Sequence, residues 1–132
     1  RRLRLPYSQA QEMFRRIVFN VVVRNQDDHT KNISFLMDSS GQWSLSPAYD
    51  MGFAYNPLGA WTATHQMSIN GKFDNITRAD LLSLANANNI KNASEIIDQV
   101  CETTAGWPEL AKNSGVPQKM IDGILPHMLL SI

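Results

Sequence analysis

The sequence predicts a mainly α-helical domain carrying one small β-hairpin, and three observations support that fold class. Apolar residues recur at helical spacing between Ser8 and Val22. From Thr77 to the C-terminus, helix-start signals and helical apolar spacing return several times. Between these regions, the strand-like run ISFLM and the returning WSLS flank the turn residues DSSGQ.

The elements follow in chain order. Met13, Phe14, Ile17, Val18, Val21 and Val22 mark one face of an amphipathic helix of roughly four turns, with Ser8 as its expected N-cap. The helix is expected to end near Arg24, where the polar loop NQDDHTKN, Asn25 to Asn32, begins. Ile33 to Met37 and Trp43 to Ser46 read as the two strands of the hairpin, turning over Asp38 to Gln42. Pro47 stops the second strand because proline has no N–H to give to a ladder, and AYDMG follows as a loop.

From Phe53 to Thr64 the chain mixes Asn56, Pro57 and Gly59 with aromatic residues and shows no clean period. A long irregular loop of this kind inside a domain often carries function. A short strand over His65 to Ile69 and an Asn70-Gly71 turn are expected next. Thr77-x-x-Asp80 has the form of a capping box, with Asp in the Glu/Gln place, ahead of LLSLANAN. Ser94 is the expected cap of EIIDQVCETTAG, a further helix runs over Trp107 to Asn113, and the last follows Pro117.

A chain of 132 residues with 43% apolar and 18% charged side chains is long enough and apolar enough for one domain with a buried core. Its twelve basic and twelve acidic residues cancel, so the overall charge offers no footprint for nucleic acid or an anionic membrane. The one local basic excess, RRLRL with Arg15 and Arg16, reads as a solvated face rather than a binding surface. Cys101 stands alone among apolar neighbours as a small buried hydrophobe, which excludes a disulfide within the chain and points to a cytoplasmic setting. No apolar stretch reaches the roughly 20 residues of a membrane span. The chain lacks an initiator Met and opens on Arg1, so a piece of a longer protein is expected.

The loop Asn25 to Asn32 holds far more coordinating chemistry than a turn requires. Phosphoryl transfer is largely positioning and charge neutralisation: a carboxylate beside the acceptor hydroxyl, and oxygen ligands that hold magnesium against the phosphates. In the protein-kinase signature the catalytic Asp is followed five residues on by a metal-binding Asn, and later by an Asp in a D-F-G setting. Here Asp27 is followed five residues on by Asn32, and after the hairpin comes Asp50 in DMG. The hairpin carries the chain out and back, so positions distant in sequence are expected to meet. An isolated D-x-x-x-x-N is weak; the ordered set with a hairpin-length spacer is more specific.

At these residues the chain resembles a known family. NQDDHTKNISFL together with WSLSPAYDM resembles the C-terminal, mainly helical lobe of HipA-type serine/threonine kinases, the toxin halves of bacterial HipA–HipB toxin–antitoxin pairs. The motifs that carry the resemblance are N-x-D-x-H-x-K-N and L-S-P-x-Y-D, and the order of helices extends it more loosely over residues 1–132. It implies that Asp27 is the catalytic carboxylate, that Asn32 and Asp50 hold magnesium and thereby the nucleotide, and that His29 and Lys31 belong to the same catalytic loop. ATP would be the phosphate donor. Family resemblance further implies a helix-turn-helix antitoxin as partner, DNA contact only through that antitoxin, no membrane contact, and a protein substrate such as an aminoacyl-tRNA synthetase.

The sequence departs from a complete kinase in one respect. Neither G-x-G-x-x-G nor a G-x-x-x-x-G-K-[ST] loop occurs, so the phosphate-cradling elements are expected on an N-terminal lobe outside this chain, which alone would be inactive or nearly so. Two rivals remain at this point. One is a non-catalytic kinase-like module that binds a regulator or the missing lobe; the other is a metal-dependent phosphohydrolase built on Asp27, Asp28, His29 and Asp50.

Several residues have plainer expected roles. Asp28 reads as solvated or helix-orienting, Asn25 as a cap for the preceding helix, and His29 as the source of an orienting hydrogen bond within the loop. Lys31 could neutralise phosphoryl charge or pair with Asp27. His65 and His127 are expected to be packed or at the surface, and Trp43, Trp61 and Trp107 to pack in the core.

Overall fold

The computed structural model describes Leu3 and residues 5–132. Arg1, Arg2 and Arg4, which carry most of the basic excess at the start of the chain, lie outside the described residues. The fold is mainly helical with one antiparallel hairpin, as the sequence predicts.

Helix α1 runs over Tyr7–Val22 and buries Phe14, Val18, Val21 and Val22, which fall on one stripe at helical spacing. It begins one residue before Ser8. Pro6 occupies the N-cap position and no side chain caps the helix, because Ser8 already lies inside the first turn. At the other end Arg24 takes a left-handed conformation, φ 57°. The amide of Asn25 then reaches back to the carbonyl of Asn20 at 2.8 Å and that of Arg24 to Val21 at 3.3 Å. This 6→1 and 5→2 pair is a Schellman closure, so the main chain of Asn25 does serve as a cap.

Strands β1 (Phe35–Met37) and β2 (Trp43–Leu45) pair antiparallel, with Phe35 opposite Leu45, Leu36 opposite Ser44 and Met37 opposite Trp43. The Asp38 carboxylate organises the turn by accepting from Ser40 N, Ser40 Oγ and Gln42 N at 2.7–2.9 Å. These bonds, that from the Ser40 hydroxyl foremost, hold its carboxyl below the usual range. At the hairpin's base, α1 takes over as anchor: Gln9 Oε1 accepts from Leu45 N at 2.7 Å, and Arg16 donates to Ser46 O at 2.9 Å. Arg16, which also pairs with Glu12 at 2.8 Å, is therefore a tether with only 14% of its side chain exposed, not part of a solvated face.

Helix α2 (Arg78–Ala87) starts with the expected capping box between Thr77 and Asp80. Helix α3 (Ala93–Ala105) has Asn92 rather than Ser94 at its N-cap position, with no side-chain capping bond, and the Ser94 hydroxyl instead accepts from Arg78 at 2.7 Å. Helices α4 (Trp107–Asn113) and α5 (Gln118–Ile124) follow, and Pro126 turns the end of α5 into a short 3₁₀ segment. The core forms where α1 packs along α3, with α2 beside them: Phe14, Val18, Val21 and Val22 meet Leu81, Ala85, Ile96, Ile97 and Val100. The tail is tied in by Leu129 N donating to Val22 O at 2.8 Å.

Two expectations are corrected here. Asn70 and Gly71, both at positive φ (53° and 78°), form the expected tight turn between Ile69 and Lys72, but His65 to Ile69 is not a strand. Its amides at Gln66 and Met67 turn to a side chain, described below, instead of to a neighbouring strand. The three tryptophans also stay out of the core: Trp43 is 40% and Trp61 76% exposed, and Trp107 lines a surface groove. They sit on a hairpin edge, a loop and a helix start, where no second layer covers them. Among the described residues no helix is long and apolar enough to cross a membrane.

Candidate active site

The loop from Asn25 to Asn32 leaves the Schellman closure and runs alongside the chain that returns from the hairpin. Asn25 and Ala54 form a parallel bridge, with Ala54 N donating to Arg24 O at 3.1 Å and Gln26 N to Ala54 O at 3.0 Å. The Asn25 side chain donates to Asn20 Oδ1 at 3.1 Å and to the main-chain carbonyl of Asp50 at 3.2 Å. Asp50 therefore lies beside the loop, in a left-handed conformation with φ 53° that Asp and Asn tolerate better than most residues.

The loop's second half is a 3₁₀ turn over Thr30–Asn32, closed by Asn32 N donating to His29 O at 3.0 Å. The Asn32 carboxamide nitrogen donates to the carbonyl of Asp27 at 3.0 Å, which leaves its oxygen as a free acceptor. His29 Nε2 lies 3.9 Å from Asp27 Oδ1, with both side chains nearly half exposed. That separation is an ion-pair distance, longer than the orienting hydrogen bond expected of His29. Its Nδ1 is buried and has no hydrogen-bond partner among the described residues.

Three of the five candidate residues, His29, Asn32 and Asp50, line one pocket of about 140 Å³ between α1 and the loops. Asp27 is joined to them through its carbonyl and through His29. Lys31 stands apart: its side chain is exposed and forms no ion pair with Asp27. The main chain of Lys31 is nonetheless fixed, because Tyr49 Oη donates to its carbonyl at 2.7 Å. Magnesium suits hard oxygen ligands, and Asn32 and Asp50, which both line this pocket, carry side-chain oxygens of that kind.

Asp28 is the largest correction. It is buried, at 7% exposure, with Oδ2 2.8 Å from His65 Nδ1 and Oδ1 accepting from Gln66 N at 2.7 Å and Met67 N at 3.4 Å. Successive side chains in an extended loop point apart, and Asp28 is the one that points inward. With its carboxylate so engaged, the four-residue ligand set of a phosphohydrolase does not form. Among the described residues no group of three or more His, Cys, Asp or Glu is placed to hold a metal ion.

Gln26 is a further residue that the sequence reading passed over. It is 1% exposed, and its amide, turned with the nitrogen towards them, donates to Thr62 O at 2.9 Å and Ala63 O at 3.1 Å. A signal for both was available: Gln26 and Asp28 bracket Asp27 directly after a helix whose last residues are all buried. His65 is packed, as expected, but against this loop, and His127 lies exposed between the rings of Phe53 and Tyr55.

Comparison with known proteins agrees with this architecture. The model of the HipA-like C-terminal domain family matches residues 1–107. A protein of Sinorhizobium fredii (strain NBRC 101917 / NGR234) named "Putative kinase Y4dM" is 31% identical over 121 residues, an alignment covering 88% of this chain. The chain spans 29% of that relative's length. This chain belongs to the HipA-like C-terminal domain family.

Proposed function

We propose that this HipA-like C-terminal domain is the catalytic lobe of a serine/threonine protein kinase, which transfers the γ-phosphate of ATP to a protein hydroxyl. An N-terminal lobe would supply the elements that cradle the phosphates. The observation that carries the reading is that Asn32 and Asp50 line one pocket, with Asp27 tied to Asn32 through its own carbonyl. In this reading the half-exposed Asp27 carboxylate accepts and orients the acceptor hydroxyl, and the Asn32 and Asp50 oxygens hold magnesium. Bound there, magnesium would neutralise charge on the transferring phosphoryl group. His29 lines the pocket next to Asp27, and the exposed ammonium of Lys31, on the same loop, would favour that charge only if it swings towards the phosphoryl group.

The hairpin lends further support. Phe35, Leu36, Met37 and Trp43 are 39–58% exposed beside the loop, an apolar surface suited to being covered by a second lobe. By family resemblance the assembled kinase would work in the cytoplasm as the toxin of a toxin–antitoxin pair. It would be held by a helix-turn-helix antitoxin through which DNA contact is indirect, and would act on a protein such as an aminoacyl-tRNA synthetase.

The test compares Asp27→Asn, Asn32→Ala and Asp50→Asn in the assembled two-lobe protein for phosphate transfer and thermal stability. Asn keeps the left-handed tolerance that Asp50 needs, so Asp50→Asn changes the ligand and not the backbone. Transfer is expected to fall by about 10²-fold or more in each with little change in melting temperature, while Glu102→Gln on the exposed side of α3 behaves as wild type. Near-normal transfer in Asp27→Asn or Asp50→Asn would replace the kinase reading with a non-catalytic binding module.

A further inference from the structure

We infer that Asp28 and His65 are a positioning pair that sets the placement of Asp27, an inference that rests on reading this loop as a phosphoryl-transfer site. Beyond the single bridge between Asn25 and Ala54 the loop has no ladder to fix it, so other groups must. Here three of its side chains turn inward and grip successive points of the segment that follows Asp50. Asn25 holds the carbonyl of Asp50, Gln26 the carbonyls of Thr62 and Ala63, and Asp28 the ring of His65 with the amides of Gln66 and Met67. Asp27 projects outward between two of these anchors, its side chain 47% exposed against 8% for Asp28.

Of the three grips, that of Asp28 is the most demanding. A buried carboxylate that accepts from an imidazole and two main-chain amides makes shorter and stronger bonds than neutral partners do, and the two closest here are 2.7 and 2.8 Å. Those bonds also take the Gln66 and Met67 amides away from strand pairing, which is why residues 65–69 form no strand. Loss of the His65 donor leaves a buried carboxylate oxygen unpaired, and the loop must shift to hydrate it. The shift would move Asp27, one peptide bond from Asp28. The His65 side chain bonds to Asp28 and to neither Asn32 nor Asp50, so it acts on Asp27 through Asp28.

The consequence is a link between the irregular loop 53–64 and the reacting carboxylate. A displacement of that loop would pass through Thr62, Ala63 and His65 to the residues on either side of Asp27. In this reading neither Asp28 nor His65 itself holds nucleotide, metal or acceptor, so the main effect is expected in the transfer step rather than in affinity.

The experiment uses the assembled kinase with its N-terminal lobe. His65→Ala and His65→Phe are compared with wild type for kcat and KM separately, and for hydrogen exchange of the amides across residues 26–32. The expected result is a fall in kcat of about 10- to 100-fold with KM for ATP and protein within about two-fold, and faster exchange in that loop at a temperature where both variants are folded. His65→Asn, whose amide can donate from the place of Nδ1, is expected to recover most of the lost kcat. A loss that is only structural would instead follow the melting temperature. If His65→Ala does not fold, His65→Phe, which fills the place of the imidazole but cannot donate, decides the matter alone. A folded variant with kcat within about two-fold of wild type overturns the inference, as does a His65→Asn that folds but recovers nothing. Should wild type transfer no phosphate, the kinase reading fails by itself. Exchange across residues 26–32 then still decides the positioning claim, and unchanged exchange in the variants overturns it.

Discussion

The Asn25 side chain donates to the main-chain carbonyl of Asp50 across 3.2 Å, and this one bond closes the excursion made by the hairpin. The same amide nitrogen donates to Asn20 Oδ1 in the last turn of α1, so the rigid core helix, the candidate catalytic loop and the returning chain meet at a single buried carboxamide. Asp50 sits at positive φ, a conformation that Asp tolerates but that costs less when its surroundings hold it. Asn25 is part of what holds it.

Asn25 variants are expected to rank in an unusual order. Asn25→Ala removes both side-chain bonds and should cost about 1–3 kcal/mol. Asn25→Asp keeps the shape but faces a carboxylate to two acceptor oxygens, so it should be the more destabilising of the two despite being nearly isosteric. Urea unfolding midpoints measure the ranking; an Asp variant as stable as wild type would mean that the amide does not tie α1 to Asp50.

Much of this arrangement was legible in the sequence, for identifiable reasons. Thr77-x-x-Asp80 could be read because a capping box is a purely local exchange of bonds. The hairpin could be read because turn residues and β-formers sit at matching spacing, and it accounts for Asn32 and Asp50 lining one pocket. What failed depended on partners far along the chain. Nothing near Asp28 announces that His65, Gln66 and Met67 will satisfy it, nor near Arg16 that Ser46 will. Ser8 and Ser94 are good caps placed where the helices had already begun, and helix starts are the least certain feature of any local pattern.

Asp80 should make the domain sensitive to acid. Its buried carboxylate accepts from Asn70 Nδ2 at 2.9 Å, Lys72 Nζ at 2.8 Å, and Thr77 N and Oγ1 at 2.9 and 2.7 Å. These bonds, that from Asn70 first and that from Lys72 next, hold its carboxyl far below the usual carboxylate range. Because the folded-state value is depressed, the unfolded chain binds the proton first. The stabilisation is therefore complete above the unfolded value of about 3.9 and is lost as pH falls through and below it towards the folded value. Asp80→Asn should be less stable than wild type at neutral pH and should lose less on acidification. Denaturant midpoints from about pH 6 to pH 2 test this; parallel curves for the two proteins would contradict it.

Core and surface positions should separate cleanly. Ile97 is fully buried on the face of α3 that joins the core, and Ile97→Ala should cost about 2–5 kcal/mol through lost burial and a residual cavity. Thr77→Ala removes one half of the α2 capping box and should cost about 0.5–2 kcal/mol. Leu110 is 66% exposed, so Leu110→Ala should stay within about 0.5 kcal/mol of wild type. Equilibrium unfolding of the three variants checks the order, and an Ile97→Ala no worse than Leu110→Ala would place the core elsewhere.

Asn32 has two tasks in the proposed mechanism, and they can be separated by its two terminal atoms. The nitrogen donates to Asp27 O at 3.0 Å and steadies the loop, while the oxygen of this pocket-lining residue is a candidate magnesium ligand. Asn32→Ala removes both, so in the assembled kinase transfer should fall and more magnesium should be needed for half-maximal rate. Asn32→Asp keeps an oxygen ligand, and a charged one, but sets a carboxylate against the Asp27 carbonyl it used to hold. Transfer should again fall, by about 10²-fold if the loop is displaced on the scale of an ångström. The magnesium requirement should not rise, because a carboxylate is the stronger ligand for a hard cation. Magnesium titrations of the initial rate distinguish the two variants. If both show the wild-type magnesium requirement, Asn32 is not a ligand, and its only remaining task is the bond that holds Asp27.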